Sequence, residues 1–228
     1  MIEKARGIVI KYIKYQESSI IAQIFTDEYG LTPFMINGIR SPRSKRSIGY
    51  FQPFSILDLV AYIKPGREIQ RLSEYKYLIP THSIQTDIRK STIVLFLSEI
   101  LTKLLHHEKG PQEHLFNFLM ESIVQFDQMN KAIENYHLHF LLKILPYLGL
   151  GVDDGEGLIR SMELEMIHED GQLLDFVSKI ITHEYTDVIG GNGQLRFKAL
   201  ELVLNYYHHH TDSIGEIKSL KVLHKVFQ

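Results

Sequence analysis

The sequence predicts an α+β protein in which an N-terminal five-stranded OB-fold barrel is followed by a C-terminal α-helical domain. Up to Pro80, short segments rich in β-branched and aromatic residues alternate with turn residues, which is typical of a small closed barrel. Beyond Pro80, apolar residues recur with the i, i+3, i+4 spacing of amphipathic helices. We therefore divide the chain into a domain of residues 1–80 and a domain of residues 81–228.

Five segments of the first domain are predicted to be strands. Gly30 ends the turn "DEYG", where glycine is free to take a positive φ, and Pro33 directs its strand towards an edge or a bulge. "KPGRE" (Lys64–Glu68) predicts the last turn because Pro and Gly are adjacent. The strands are expected at residues 5–15, 18–26, 31–39, 54–63 and 69–79.

The second domain is expected to contain at least five helices. The acidic, Gly-rich "GLGVDDGEGLIR" predicts a loop, and the mixed pattern from Ser161 to Gly193 favours no assignment. "QLRFKALELVLNYYHHH" and "GEIKSLKVLHKVF" predict the last two helices. The first three helices are expected at about residues 93–105, 115–126 and 131–145.

The composition is that of a soluble globular protein, with 44% hydrophobic and 23% charged residues among 228. The absence of cysteine excludes disulfides, thiolate nucleophiles and thiolate zinc sites. Met1–Ile20 does not have the pattern of a signal peptide, and the longest apolar run, Ile93–Leu97, is far too short to span a membrane. We expect a cytoplasmic protein.

Charge is distributed unevenly along the chain. Residues 1–80 carry 12 Lys and Arg against 7 Asp and Glu (net +5), whereas the rest carries 13 against 20 (net −7). A basic module joined to an acidic one favours local binding of a polyanion.

The basic residues concentrate in "NGIRSPRSKRSIGYFQPF" (Asn37–Phe54), which we call the basic loop. Closely spaced cations in a Gly/Ser/Pro loop suit contact with nucleic-acid phosphates, although a solvated loop without a ligand has the same composition. The candidate DNA-binding residues in this loop are Arg40, Arg43, Lys45 and Arg46. Those on the first strand that extend the patch are Arg6, Lys11 and Lys14.

Three aromatic residues end the basic loop. Tyr50, Phe51 and Phe54 either offer stacking faces to bases or sit in the core. Because they lead directly into an apolar strand, the core interpretation is favoured.

No pattern in the sequence indicates catalysis or metal binding. The adjacent residues His208, His209 and His210 would point about 100° apart on a helix and therefore would not converge on one ion. "DDGEG" lacks the spacing of a calcium loop, and no GxxxxGK[ST], GxSxG or HExxH motif occurs. We expect a non-enzymatic protein without a metal or cofactor.

Taken in order, several stretches resemble the RecO family of recombination mediators. They are the segment from "ARGIVIKYIKY" to "FSILDLV", then "LPYLGL", then the terminal "IKSLKVLHKVF". The resemblance implies binding of single- and double-stranded DNA, strand annealing, and recombinase loading on DNA coated with single-strand-binding protein. It also implies two protein partners, RecR and the C-terminal tail of the single-strand-binding protein.

The sequence departs from the family at one point. Many members carry a four-cysteine zinc motif after the stretch that matches "LPYLGL", but residues 151–178 contain no cysteine here. The family's zinc is therefore not carried over. Packing of apolar side chains is expected to hold this segment: Leu158, Ile159, Leu164, Ile167, Leu173 and Leu174.

The implied tail peptide would bind in a groove between helices. The surplus of Leu, Ile and Phe between Ile93 and Phe126 suggests such a groove, although a buried core has the same composition. Lys90 and Lys103 are the candidate peptide-binding residues for its carboxylates. The alternative to a DNA-binding mediator is a protein-interaction scaffold whose barrel binds no nucleic acid.

Overall fold

A computed structural model describes residues 1–44, 47–162, 171–211 and 214–227. Five strands form a closed barrel in the order β1-β2-β3-β5-β4, in which β3 and β5 run parallel and the other neighbours run antiparallel. This barrel and the helices that follow it confirm the predicted fold class. The strands are β1 (Ile2–Tyr15), β2 (Ser19–Thr26), β3 (Gly30–Ile36), β4 (Ile56–Tyr62) and β5 (Gln70–Ile79).

Strand β1 closes the barrel because it is long enough to pair with two neighbours. Its first half pairs with β4, its second half pairs with β2, and an irregularity lies between Val9 and Lys11. Gly7 lies where the two pairings overlap. A Cβ atom at Gly7 would sit 2.6 Å from side-chain atoms of both Ile24 and Leu59, so glycine leaves the space that these two side chains fill inside the barrel.

The helical half begins four residues after the barrel ends. Asp87 caps the N-terminus of α2, and Asn192 caps that of α7, each by accepting a hydrogen bond from a backbone N–H. The helices are α1 (Ser83–Thr86), α2 (Ile88–Leu104), α3 (Glu113–Gln128), α4 (Tyr136–Lys143), α5 (Gly155–Ser161), α6 (Gly171–Thr182), α7 (Gly193–His210) and α8 (Leu220–Phe227).

The prediction that "GLGVDDGEGLIR" forms a loop is wrong for the second half of this segment, where α5 forms. Asp154 accepts a hydrogen bond of 2.7 Å from the N–H of Gly157, and this cap starts a helix that Gly-rich composition disfavours. α5 packs against α6 through buried Leu158, Ile159 and Leu173, as expected for a segment held by apolar packing. Leu164 and Ile167 lie outside the described residues.

One side of the barrel's outer surface is covered by the helical half. Ile8, Ile10 and Phe25 point away from the barrel interior and belong to the same buried cluster as α2, α3 and α4. The rings of Phe25 and Phe116 lie 6.4 Å apart, and those of Phe54 and Phe140 lie 6.2 Å apart. We call this contact between the outside of the barrel and the helices the seam. The barrel interior forms a separate cluster, so the barrel wall lies between two cores.

Polar contacts at the β2–β3 turn fix the seam in register. The N–H of Gln112 donates to the carbonyl of Asp27 (2.9 Å), and the N–H of Leu31 donates to the carbonyl of Glu108 (3.1 Å). Gly30 lies between these two bonds with φ = +63°, as the sequence predicts. A Cβ atom at Gly30 would lie 2.1 Å from the carbonyl oxygen of Glu108, so both backbone conformation and space require glycine.

We expect Gly30→Ala to destabilise the protein by about 3 kcal/mol or more, because a left-handed conformation and a backbone clash act together. Gly66→Ala is the matched control, since Gly66 has φ = +76° but nothing within 4 Å of the added methyl. The control should cost about 1 kcal/mol. Urea unfolding of both variants measures the difference, and equal losses would show that the seam does not depend on this contact.

Two histidines of α4 are buried in the helical core. Burial lowers the pKa of His137 to about 3, with Arg196 and His139 adding to the effect. Burial likewise lowers the pKa of His139 to about 4, assisted by the charge of Lys143. Both imidazoles are therefore neutral in the folded protein at neutral pH, whereas in the unfolded chain they take up protons near pH 6.5.

Stability should fall as the pH drops below about 6.5, because the unfolded chain then binds protons that the folded core excludes. Between pH 7.5 and 5.5 the two histidines together should account for a loss of about 2 to 3 kcal/mol. His139→Leu should remove about half of this loss, whereas exposed His114→Leu should leave it unchanged. Urea unfolding at pH 7.5 and at pH 5.5 measures this loss of stability. If His139→Leu leaves the loss unchanged, the buried histidines are not its cause.

Candidate nucleic-acid interface

The first part of the basic loop is attached to the β1–β2 turn. The N–H of Arg40 donates to the carbonyl of Ser18 (2.8 Å), and its guanidinium donates to the carbonyls of Gln16 and Ser19 (3.3 Å each). Arg40 is consequently half-buried, and its hydrogen bonds fix the direction in which the loop leaves β3. Its charge remains at the barrel surface, but its main contacts are within the protein.

Arg43 and Lys14 are the candidate cations that the structure leaves most accessible. Both are exposed, and neither forms an ion pair among the described residues. Arg43 lies three residues after Arg40, whose backbone is bonded to Ser18 in the β1–β2 turn. Lys14 is the second-last residue of β1, directly before that turn. Both therefore lie at one end of the barrel. Lys45 and Arg46 lie outside the described residues and remain predictions.

Arg6 has a structural role that the sequence did not indicate. Its Nε donates to Asp27 (2.7 Å), the backbone N–H of Arg6 donates to the second oxygen of the same carboxylate (3.0 Å), and its guanidinium lies 4.9 Å from the ring centre of Phe116. The cation is thus held between the barrel and α3. Arg6 is therefore left out of the proposed DNA surface, because binding a phosphate would require its guanidinium to leave these partners.

Lys11 is partly neutralised by an acidic neighbour on α2. Burial lowers the pKa of Lys11, and the negative charge of Glu99 opposes that shift. Glu99 in turn accepts hydrogen bonds from the N–H groups of Lys218 and Ser219 (2.9 Å each), which lie just before α8. Burial alone would raise the pKa of Glu99, but a hydrogen bond from the Ser219 hydroxyl (2.5 Å), together with these two N–H bonds, holds that pKa below its ordinary value. Lys11 therefore contributes less free positive charge than Lys14.

The core interpretation of the loop aromatics is confirmed for Phe51 and Phe54, which are both fully buried. Phe51 packs edge-on against Tyr75 inside the barrel, at 4.8 Å between ring centres. Tyr50 is half-buried and stacks on Tyr77 at 4.4 Å. These rings anchor the end of the basic loop rather than offering free faces.

Three exposed cations near the same end of the barrel were not selected from the sequence. Lys64 and Arg67 lie in the β4–β5 loop, and Arg71 pairs with Met35 at the end of β3. The buried amide of Gln70 fixes this loop: it accepts from the N–H of Lys64 (2.9 Å) and donates to the carbonyls of Lys64 (3.2 Å) and Arg67 (2.7 Å). The motif "KPGRE" signalled only a turn, and its nearness to the basic loop depends on the strand order.

Lys90 does not lie at a surface where a peptide could reach it. Its ammonium group donates to Ser83 Oγ (2.6 Å) and to the carbonyl of Asp127 (2.9 Å), and the side chain is buried. Burial lowers the pKa of Lys90, partly offset by the charge of Asp127. This lysine ties α2 to the end of α3, so the expectation that it binds a peptide is not supported. Lys103 remains a candidate, with its ammonium on the carbonyl of Glu216 (2.8 Å).

The apolar stripe between Ile93 and Phe126 is mostly core, the alternative that the sequence left open. A different part of α2 borders a groove of about 710 Å³ between the barrel, α1, α2 and α8. Ile88, Leu95 and Val222 are exposed along this groove, and Gln52 and Pro53 form its barrel side. We call it the α2–α8 groove.

The part of the chain that the structure describes contains neither a candidate metal cluster nor a membrane-spanning helix. No three His, Asp or Glu side chains among its residues are arranged to hold a metal ion. Nδ1 of His208 forms a hydrogen bond of 2.9 Å with the carbonyl oxygen of Ile214. Across the same residues, no helix has the length and apolar character needed to cross a bilayer.

Comparisons with known proteins identify the family of this chain. Residues 1–80 match the family described as "Recombination protein O N terminal", and residues 85–154 match "Recombination protein O C terminal". Similar curated proteins, all called "DNA repair protein RecO", include one from Flavobacterium psychrophilum with 34% identity, covering 98% of both chains. One from Flavobacterium johnsoniae has 32% identity over 98% of both chains, and one from Bacteroides fragilis has 29% identity over the whole of both. Two matching domain families and similarity along the full length lead to one conclusion: the chain belongs to the RecO family of DNA repair proteins.

Proposed function

We propose that the protein is a non-enzymatic mediator of homologous recombination that binds single- and double-stranded DNA on its barrel and anneals strands. In this role it would help to load the recombinase onto DNA coated with single-strand-binding protein. The observation that carries the proposal is the grouping of cations at one end of the barrel. They come from the end of β1, the basic loop, the β4–β5 loop and the start of β5: Lys14, Arg40, Arg43, Lys64, Arg67 and Arg71.

The character of these cations supports contact with phosphates and not with specific bases. They lie at the barrel surface, either on loops or near the ends of strands, and among the described residues none of them forms an ion pair that would aim it at a base edge. Such contacts give affinity that depends on salt and little on sequence. A mediator that acts on any damaged region requires this property.

The alternative is an interaction scaffold with no direct contact to nucleic acid. A scaffold has no need for cations to gather at one end of a barrel while the rest of the chain is acidic. The grouping therefore favours DNA binding. RecR remains a proposed partner on the grounds of family membership, without an assigned surface.

For the tail of the single-strand-binding protein, we propose the α2–α8 groove. Ile88, Leu95 and Val222 supply an exposed apolar floor of a size suited to a few side chains of an extended peptide. Lys103 lies on α2 two turns beyond Leu95 and offers a cation for a carboxylate. This replaces the site that the sequence suggested around Lys90.

Replacing Lys14 and Arg43 together by Gln should weaken binding of single-stranded DNA by removing phosphate contacts. Each contact contributes about 0.7 to the slope of log affinity against log salt, so the slope should become shallower by about 1.4. The loss should be similar for oligonucleotides of different sequence because no base edge is involved. Fluorescence anisotropy over a series of salt concentrations measures the affinity and its slope against log salt.

Lys131 and Arg160, exposed cations of the helical half, provide the matched control when both are replaced by Gln. Thermal melting should be close to the parent for both double variants, since exposed charges add little to stability. An unchanged slope in the Lys14/Arg43 variant would remove this end of the barrel from the DNA site.

Replacing Leu95 and Val222 together by Ser should lower affinity for a labelled tail peptide by about tenfold or more, because the apolar floor is lost. Lys103→Gln should weaken binding less and should remove part of its salt dependence. Val188→Ser, at an exposed apolar position on the loop before α7, is the control and should bind like the parent. A Leu95/Val222 variant that binds the peptide with parental affinity would exclude the groove.

A further inference from the structure

A small cavity lies in the helical half, where α4, α7 and α8 meet. Its volume of about 20 Å³ gives room for roughly one water-sized particle. Most of its wall is apolar and comes from α7 and α8, and it shares no lining residue with the α2–α8 groove. The polar part of the wall comes from His137 of α4, Gly193 and Arg196 of α7, and His224 of α8.

A buried histidine of this cavity has an unused hydrogen-bonding atom. His137 is only 4% exposed, and its Nδ1 has no hydrogen-bond partner among the described residues. Its ring lies 6.1 Å from that of Phe96 and 6.3 Å from that of Phe227, between ring centres, so aromatic side chains enclose it. Because buried polar atoms in proteins almost always have a partner, this atom indicates an occupant that the described residues do not supply.

Arg196 brings a positive charge to the same cavity. Its guanidinium donates to the carbonyl of Gly191 (2.7 Å), whereas its buried Nε has no partner in the described part of the chain. Arg196 forms no ion pair there either, and no Asp or Glu is among the described residues that line the cavity. A partly buried cation without a counter-ion is unfavourable, so the cavity favours a negative occupant over a neutral one.

The N-terminus of α7 adds to this positive potential. Gly193 is the first residue of α7 and lines the cavity, and the first N–H groups of a helix have no acceptor within the helix. The side chain of Asn192 accepts from the N–H of Leu195 (2.8 Å), which leaves the N–H of Gly193 for another acceptor. The helix dipole favours an anion at this end.

The protonation state of His137 is compatible with binding an anion. Burial, followed by the positive charges of Arg196 and His139, lowers the pKa of His137 to about 3, and no acidic group opposes this shift. The imidazole is therefore neutral at neutral pH. In the tautomer with its proton on Nδ1, it donates one hydrogen bond into the cavity.

We propose that this cavity binds one small monovalent anion of the chloride class, held by the guanidinium of Arg196, the Nδ1–H of His137 and the N-terminus of α7. Phosphate and carboxylate groups are too large for the space of one water molecule, so the size of the cavity selects a halide. This site is separate from the DNA and peptide surfaces proposed above. Its existence does not depend on either.

An anion in this position would hold α8 against the rest of the helical half. Its ligands come from α4 and α7, and Leu223 and Phe227 of α8 form part of the wall around it. The same helix supplies Val222 to the α2–α8 groove. Occupancy should therefore slow the local opening of α8 and stabilise the folded chain.

The first test follows urea unfolding while sodium chloride is exchanged for sodium gluconate at constant ionic strength. Gluconate is too large for the cavity, so only chloride should stabilise the folded state through this site. At a chloride concentration ten times the dissociation constant, the folding equilibrium constant should be about elevenfold higher than without chloride. Arg196→Gln should lose this dependence. Lys221→Gln is the matched control, because it removes an exposed cation of α8 outside the cavity and should keep the parental dependence.

The second test needs no variant that folds. Crystals of the full chain soaked in sodium bromide, with diffraction measured at the bromine absorption edge, should show an anomalous peak in the cavity beside Arg196 and His137. In solution, amide exchange of α8 should be slower in chloride than in gluconate.

Two results would overturn the proposal. One is an ordered water molecule in the cavity without anomalous signal. The other is a chloride dependence of stability that is the same in the parent and in Arg196→Gln, which would make any bromide peak an adventitious ion only. Neither result bears on DNA binding by the barrel, so the proposed function is tested separately.

Discussion

The apolar seam between the barrel and the helices determines what the rest of the molecule can do. Ile8, Ile10 and Phe25 point out of the barrel, where exposure of these apolar side chains to water would be unfavourable. They are buried because α2, α3 and α4 cover them. The seam closes one side of the barrel to ligands. It also sets the helical half at a fixed position, because Leu31 and Asp27 form backbone hydrogen bonds with Glu108 and Gln112.

The same seam divides the basic residues of the first domain into two groups. Arg6 and Lys11 lie close to the seam, where Asp27 and Glu99 respectively offset their charge. Lys14, Arg43 and the cations of the β4–β5 loop lie at the end of the barrel next to the β1–β2 turn, which we call the open end. Their charge remains available to a ligand. A net charge of −2 for the whole chain is compatible with local DNA binding because the positive residues are concentrated where the helices do not reach.

The sequence predicts local structure better than it predicts which residues share a site. Strand alternation, the turn at Gly30 and the helical period depend on neighbours in the chain, so β1–β5 and most helices could be anticipated. The role of Arg6 depends on Asp27, 21 residues away, and that of Lys90 on Asp127, 37 residues away, and composition gives no sign of either. Helix α5 was missed because a single cap, Asp154, outweighs a Gly-rich composition.

The central claim is that nucleic acid binds the open end of the barrel and leaves the helical half free for protein partners. Backbone amide exchange of the whole chain, measured with and without a saturating oligothymidylate, tests it most directly. The account predicts slower exchange in the β1–β2 turn (residues 15–19), in residues 37–44 and in the β4–β5 loop (residues 63–69), with little change in α2–α8. Slower exchange confined to the helical half would contradict it.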